Sequence, residues 1–185
     1  MKKQSYSETI SSGIAAPISL TTMVQAAMIA AIYVVLTFIA NAFGLANYAV
    51  QVRFSEALTI LPYFTPAAIP GLFIGCLLSN ILTGCALPDI IFGSIATLLG
   101  ALGTYALRKR KWCAPICPII SNMIIVPLVL IYGYGLLIEG YSVLQCFGYY
   151  CLTVGAGEVI SCGILGMILL FTLEKYRSRI FGQNY

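Results

Sequence analysis

The sequence predicts an all-α integral membrane protein, a six-helix bundle whose N- and C-termini are both cytoplasmic. Hydrophobic residues make up 60% of the 185-residue chain and charged residues only 9%, whereas a soluble domain carries about 25% charged residues. Nine of the ten basic residues fall into three clusters separated by long apolar runs. The clusters are Lys2 and Lys3, then Arg108–Lys111, then Lys175, Arg177 and Arg179. Because bilayers retain lysine and arginine on the cytoplasmic side, all three clusters are expected to face the cytoplasm.

Five apolar runs reach or approach the length that crosses a bilayer as a helix, about 20 residues at 1.5 Å each. They are Thr21–Phe43, Ala67–Thr83, Ile90–Leu107, Pro115–Tyr134 and Gln145–Leu173. The last run is long enough to tilt or to begin in an outer loop. The first run is too long for a signal-peptide core, so it is interpreted as a retained span.

A sixth crossing follows from the side on which the basic clusters must lie. The run Phe54–Phe64 is too short for a comfortable span. Only a separate crossing there keeps the second and third clusters on the same side as Lys2. Three nearby prolines favour a break after this run, because proline ends or kinks a helix. These are Pro62, Pro66 and Pro70.

The predicted topology divides the chain into three parts. A polar cytoplasmic segment occupies residues 1–20, the six-helix domain residues 21–174, and a short basic cytoplasmic tail residues 175–185. The outer loops are Gly44–Arg53, Gly84–Asp89 and Gly135–Leu144. Their polar and aromatic side chains could recognise an external ligand. These side chains are Asn47, Tyr48, Gln51, Arg53, Asp89, Glu139 and Tyr141.

Composition argues against an enzyme, a metal protein or a nucleic-acid-binding protein. The chain has no histidine, which removes the commonest general base and metal ligand. Cys113 and Cys117 have a spacing that could hold a metal, but no second pair accompanies them, and the seven cysteines are interpreted as packing residues. No paired intramembrane carboxylates and no nucleophile–base motif are evident. The net charge of +4 is explained by the three cytoplasmic clusters.

Polar side chains within the apolar runs are the candidate ligand-binding residues, because such groups are costly in hydrocarbon. Glu158 lies in the last apolar run, Gln145–Leu173, near Gly155 and Gly157, which leave space for a ligand. Asn122 and Asn80 could contact the same ligand, or could simply hydrogen-bond a neighbouring helix.

Three further groups are candidates at the outer interface. Arg53 and Glu56 are three residues apart, so their mutual pairing is the preferred interpretation for Glu56, whereas Arg53 could also order the outer loop. Asp89 is better placed as the N-cap of the fourth span than as a ligand contact. The outer tyrosines are typical of an interfacial belt, although one or two could stack on a flat ligand. They are Tyr48, Tyr132, Tyr134 and Tyr141.

Two pairs of alanines on the first span could let another helix approach closely. Ala26 and Ala30 form one pair, and Ala27 and Ala31 form the other. The stripe suggests a surface for docking a partner, although packing inside the bundle is the alternative. Gly71 and Gly75 repeat the spacing on the third span, where internal packing is preferred.

Four stretches of the chain resemble the QueT family of queuosine-precursor transporters. The longest is QVRFSEALTILPYFTPAAIPG, residues 51–71. The others are PDIIFGS at residues 88–94, SNMIIVP at 121–127 and GAGEVIS at 155–161. The similarity extends from the first span to Leu170. The polar N-terminal 20 residues do not contribute to it.

The resemblance implies the substrate-binding S-component of an energy-coupling factor (ECF) transporter in the cell membrane. Such six-helix subunits bind a micronutrient near the outer face and perform no catalysis themselves. They dock on a module of one membrane subunit and two ATPases through small residues of the first helix, which Ala26, Ala27, Ala30 and Ala31 would match. The implied substrate is a 7-deazaguanine such as preQ0, preQ1 or queuine. No cofactor is implied.

The chemistry of a deazaguanine suggests roles for the candidate residues. A carboxylate could accept the ring N1–H and the 2-amino group together, which suits Glu158. Asn122 or Asn80 could bind the O6 or pyrrole side, and a tyrosine could stack on the bicycle. The amine of preQ1 could pair with Asp89, Glu56 or Glu139. The remaining candidate ligand contacts are Arg53, Gln51 and Tyr48.

Two alternatives stay open. The chain could be an S-component for another vitamin, such as a thiamin-like or flavin-like ligand. It could instead be a structural subunit of a membrane complex with no small-molecule ligand, although a carboxylate between glycines in lipid argues against that role.

Overall fold

The computed structural model describes residues 19–44 and 52–180, except for the side chains of Ser178 and Arg179. These residues form helices joined by short turns, with no strand among them. The helices are α1 (Leu20–Ala42), a 3₁₀ helix (Phe54–Tyr63), α2 (Ala68–Leu82), α3 (Asp89–Ala106), α4 (Lys111–Gly133), α5 (Val143–Lys175) and α6 (Arg177–Ile180). The all-α class is therefore confirmed.

Six of the seven described helical segments correspond to the six predicted crossings, but they differ in length. Within the described residues, four helices are long and apolar enough to cross a membrane, namely α1, α3, α4 and α5. Helix α2 has 15 residues and the 3₁₀ helix has 10. The predicted orientation of both termini toward the cytoplasm stays a prediction.

Side-chain caps explain where two of the long helices begin. The Ser19 hydroxyl accepts a hydrogen bond from the backbone N–H of Thr22 at 3.2 Å, so α1 starts at Leu20. At α5, the Gln145 side chain accepts from the Ser142 N–H at 2.8 Å, and the Ser142 hydroxyl accepts from the Gln145 N–H at 3.4 Å. This reciprocal capping box satisfies two N–H groups that lack helical partners. Helix α5 accordingly begins at Val143, two residues before the predicted start.

The 3₁₀ helix runs antiparallel to α1 along most of its length. Next to the start of the 3₁₀ helix, Ser55 accepts a hydrogen bond from Thr37, near the end of α1, at 2.9 Å. Just past its end, Thr65 donates to Gln25, near the start of α1, at 3.3 Å. At about 2.0 Å per residue, ten residues of 3₁₀ helix extend roughly 20 Å. The short run therefore passes through the bundle as a segment of its own.

This 3₁₀ helix is the centre of the bundle. Every residue from Ser55 to Pro62 is buried, and the helix contacts α1, α2, α3 and α5. Such complete enclosure explains how so long a stretch of non-α backbone is tolerated, because irregular backbone at membrane depth must be covered by protein. On the outside of the bundle, large apolar side chains are exposed, as a lipid-facing surface requires.

The remaining contacts place all the described basic clusters at one end of the bundle. Trp112, which follows the Arg108–Lys111 cluster, lies against Phe171 of α5 with ring centroids 5.5 Å apart. Arg177 lies 5.8 Å from the centre of the Tyr63 ring, at the end of the 3₁₀ helix. The start of α1 lies at this same end, because Gln25 bonds to Thr65. Lys2, Lys3 and the Arg179 side chain lie outside the described residues.

Three π-helical turns interrupt the α-helices. They occupy Asp89–Gly93 at the start of α3, Val129–Gly133 at the end of α4, and Val159–Leu165 within α5. Turns of this kind are frequent at functional sites because they redirect side chains. The first contains Asp89, and the third directly follows Glu158. The N-cap prediction for Asp89 is wrong, since the helix starts at Asp89 itself and its N-cap position is Pro88.

Candidate functional site

A cavity of about 470 Å³ opens at the end of the bundle opposite the basic clusters. It lies among the last turns of α1 and α2, the first turn of α3 and the end of α4. Apolar side chains from α1 and α4 form much of its wall, including Ala40, Val126 and Leu130. The polar side chains that line it are Thr37, Asn41, Arg53, Asn80, Thr83, Asp89 and Tyr134. Its size falls within the range of small-molecule sites, about 300–1,000 Å³.

A narrow crevice adjoins this cavity. It measures about 10 Å³, and Arg53 and Val126 line both spaces. The polar groups that reach the crevice besides Arg53 are Glu56, Thr97, Asn122 and Glu158. Arg53 therefore stands at the boundary, with the cavity on one side and two carboxylates on the other.

Glu56 is held by hydrogen bonds from two different helices. The Tyr33 hydroxyl of α1 donates to Glu56 Oε1. The Asn122 amide of α4 donates to Glu56 Oε2 at 3.4 Å. All three side chains are buried. This network fixes the carboxylate at the edge of the crevice and ties the central 3₁₀ helix to its neighbours.

Glu158 has a weaker set of partners. Its Oε2 accepts a hydrogen bond from the Cys162 thiol at 3.1 Å. The same thiol lies 3.4 Å from the Glu56 carbonyl oxygen and 3.3 Å from the Thr59 hydroxyl. Because a thiol is a poor donor, and the Asn122 amide near Glu158 also donates to Glu56, the Glu158 carboxyl is held less firmly than that of Glu56.

Two predictions about charged residues are wrong. Arg53 and Glu56 do not pair, since the single salt bridge within residues 19–44 and 52–180 joins Arg177 to Glu174 at 3.7 Å. Paired carboxylates are in fact present, because Glu56 and Glu158 flank one crevice. Contacts between distant segments decide both outcomes. The backbone N–H of Arg53 donates to the Ser161 hydroxyl at 3.1 Å, and this bond holds the start of the 3₁₀ helix against α5.

Asp89 is fixed at the cavity by its neighbours. The Tyr134 hydroxyl donates to Asp89 Oδ2 at 3.2 Å and accepts from the Ala86 N–H at 3.1 Å. The Asn80 amide donates to the Asp89 carbonyl oxygen at 3.3 Å. Desolvation raises the pKa of the Tyr134 phenol, and the charge of Asp89 also raises it. The phenol therefore stays protonated at neutral pH and can donate to the carboxylate.

One cluster in the described part of the chain has the residue types that bind metals. Oxygens of Glu56 and Glu158 and the sulfur of Cys162 all lie within 4.8 Å of one another. Carboxylate and thiolate ligands together would suit zinc. Within the cluster, Cys162 donates to Glu158, whereas the donors to Glu56 are Tyr33 and Asn122 from outside it.

Comparison with known families now identifies the chain. The family model described as QueT transporter matches residues 23–175. The chain belongs to the QueT transporter family. Membership in this family, together with the four long apolar helices, makes the chain a membrane transporter protein. No curated protein and no solved structure gives a significant match.

The four stretches that resemble QueT proteins converge on the two adjoining spaces. Residues 51–71 contribute Arg53 and Glu56, and residues 88–94 contribute Asp89. Residues 121–127 contribute Asn122, and residues 155–161 contribute Glu158. Segments distant in the chain thus each bring a polar side chain to one region of the bundle.

Most of the predicted ligand contacts lie at these spaces. Arg53, Asn80 and Asp89 line the cavity, whereas Asn122 and Glu158 line the crevice. Tyr48 and Gln51 lie outside the described residues, so their assignment stays a prediction. The sequence analysis did not include Thr37 and Asn41 among the residues that line the cavity. Their spacing was a usable signal, because polar residues four apart lie on the same face of a helix.

The two alanine pairs of α1 have different surroundings. A Cβ added to Gly71 of α2 would lie 2.7 Å from the Ala26 carbonyl oxygen, and one added to Gly75 would lie 3.1 Å from Ala30 Cα. The Ala26/Ala30 pair therefore packs inside the bundle. Ala27 and Ala31 are exposed. Of the surface predicted for partner docking, this outward pair is the part that another helix can reach.

Proposed function

We propose that this chain is the S-component of an ECF transporter and binds a 7-deazaguanine precursor of queuosine for ATP-driven uptake by its partner subunits. Membership in the QueT transporter family supports transport as the function. The observation that carries the ligand assignment is the cavity of about 470 Å³ next to a crevice that contains two carboxylates and an amide. Apolar walls with a few converging polar groups are typical of a small-molecule site.

The crevice has room for about one water molecule and would have to widen to admit a ring edge, but it offers the groups that a guanine-like edge requires. The N1–H and 2-amino groups of a deazaguanine are adjacent donors, and a carboxylate accepts both in a charge-assisted pair. In this proposal Glu158 takes that role and the ligand displaces the weak Cys162 donor. Glu56 is less available, because Tyr33 and Asn122 already occupy both of its oxygens.

The proposal places the cavity on the outer side of the cell membrane. Lysine and arginine mark the cytoplasmic side of a multi-pass protein, and the described clusters lie at the opposite end from the cavity. A ligand would then enter from outside and leave inward only after the coupling module acts. In this proposal the exposed Ala27 and Ala31 contact the membrane subunit of that module, since small residues permit close helix approach.

Thermal stabilisation of the purified protein in detergent tests the ligand assignment. The panel holds preQ0, preQ1, queuine, guanine, thiamin and riboflavin. A ligand at 100 times its Kd adds about 2.7 kcal/mol to the free energy of unfolding. Stabilisation by deazaguanines alone supports the proposal. Stabilisation by a vitamin alone would leave an S-component with a different substrate, and no response from any compound would contradict a deazaguanine site.

Co-purification with the ECF module tests the partner assignment separately. We expect Ala31→Leu to reduce recovery of the module while leaving ligand stabilisation unchanged, because the alanine faces outward on α1. Val35→Leu, at an exposed position one turn further along α1, is the matched control. Equal recovery of the module with both variants and the parent protein would contradict docking at this face.

A further inference from the structure

Acidic side chains outnumber basic side chains around the two spaces. Three carboxylates line them, Asp89 in the cavity and Glu56 and Glu158 in the crevice. One guanidinium opposes them, that of Arg53, and no other charged side chain of the described residues lines either space. The three carboxyl groups offer more acceptor oxygens than one guanidinium can satisfy. This arrangement favours a ligand that donates hydrogen bonds or carries a positive charge.

Asp89 is the carboxylate best placed to bind a positively charged group of the ligand. It is only 6% exposed, yet it lines the cavity. Tyr134 donates to its Oδ2, whereas no described residue donates to its Oδ1. Gly93 lies against that oxygen, because a Cβ there would lie 2.9 Å from Oδ1. One oxygen is thus oriented by Tyr134, and the other is an acceptor that is open to the cavity.

The order of the polar groups matches the order of atoms around a 7-deazaguanine. Around the ring edge, the 2-amino group, N1–H, O6 and the C7 substituent follow one another. Glu158 lies in the crevice, Arg53 at the boundary and Asp89 in the cavity. With the donor pair on Glu158, O6 can accept from Arg53, and the C7 substituent then points toward Asp89.

From this arrangement we infer that the site selects deazaguanines whose C7 arm carries a protonated amine, and that Asp89 is the residue that discriminates. This inference rests on the proposed function and narrows its substrate class. Ligands with an aminomethyl arm, such as preQ1 and queuine, satisfy the free Asp89 oxygen. The nitrile of preQ0 has no donor, so it leaves Asp89 Oδ1 without a donor from the ligand, and Tyr134 remains the donor to Oδ2.

Calorimetric titration of the purified protein with preQ1 and preQ0 tests the inference, because both compounds share the ring and differ in the arm. We expect preQ1 to bind at least about tenfold more tightly than preQ0. Asp89→Asn keeps an oxygen that can accept from Tyr134 but removes the charge, so it should abolish most of this ratio. Glu174→Gln is the control, because Glu174 pairs with Arg177 at the end of the bundle opposite the cavity and lines neither space.

The possible results distinguish the selection of an amine-bearing ligand from the proposed binding of deazaguanines in general. Equal affinities of the parent protein for preQ1 and preQ0 would overturn the inference and leave a deazaguanine S-component intact. This comparison needs no variant, so it holds even if Asp89→Asn fails to fold. A preference that survives in a folded Asp89→Asn protein would overturn the role of Asp89. Failure of both compounds to bind would contradict the proposed function itself.

Discussion

Glu56 and Glu158 flank one buried crevice, with carboxylate oxygens within 4.8 Å of each other. They belong to segments that are distant in the chain, the central 3₁₀ helix and the middle of α5. Their partners are unequal, because Glu56 accepts from Tyr33 and Asn122, whereas Glu158 accepts from the Cys162 thiol, a weak donor, and shares the Asn122 amide with Glu56. This inequality supports different roles for them: Glu56 stabilises the bundle, and in the proposed function Glu158 binds the ligand.

Glu158→Gln should weaken deazaguanine binding by at least about tenfold. The amide offers one acceptor and one donor where the ligand presents two donors, and the charge assistance is lost. Calorimetric titration measures the change, and the melting temperature without ligand should stay close to that of the parent protein. Glu139→Gln controls for the loss of an acidic residue elsewhere. Unchanged affinity in Glu158→Gln would remove Glu158 from the site.

Tyr33→Phe should lower the stability of the protein without ligand. The Tyr33 ring is 1% exposed, and its hydroxyl donates to a buried carboxylate. Removing that donor leaves Glu56 short of a partner, at a cost of about 1–3 kcal/mol. Thermal unfolding in detergent measures the effect. Tyr132→Phe is the control at a tyrosine that is 74% exposed, and equal melting temperatures for both variants would contradict the role of the Tyr33–Glu56 bond.

Gly75→Ala should destabilise the contact between α1 and α2. An added Cβ would lie 2.8 Å from the Tyr33 Cβ and 3.1 Å from Ala30 Cα, so the helices would have to separate. Overpacking of this kind costs about 1–3 kcal/mol. Gly148→Ala in α5 is the matched control, because a Cβ there meets no atom within 4 Å, and it should be neutral or slightly stabilising. A melting curve for Gly75→Ala that matches the control would contradict the tight packing.

The helices could be predicted from the sequence because apolar length is a property of each run by itself. The predicted span Thr21–Phe43 became Leu20–Ala42, and Ile90–Leu107 became Asp89–Ala106. The separate second segment followed from the charge clusters, not from its hydropathy. Its 3₁₀ conformation had no signal in the sequence, since it depends on enclosure by four other helices.

The site was predictable only in part, for a physical reason. Isolated polar residues in apolar runs, such as Asn122 and Glu158, stand out because burial in lipid is costly. Which of them meet is decided by packing between distant segments. Local spacing therefore predicted the wrong partner, Arg53, for Glu56. In the fold, Glu56 accepts hydrogen bonds from Tyr33 and Asn122 and lines the crevice together with Glu158.

Alkylation of Cys85 tests most directly whether the cavity holds the deazaguanine. Cys85 lines the cavity and is partly exposed, whereas Cys113, also partly exposed, lies at the opposite end of the bundle. We expect preQ1 at saturating concentration to slow maleimide labelling of Cys85 several-fold and to leave labelling of Cys113 unchanged, as measured by peptide mass spectrometry. Unchanged labelling of Cys85 at a concentration of preQ1 that fully stabilises the protein would place the ligand elsewhere and rule out this cavity as the binding site.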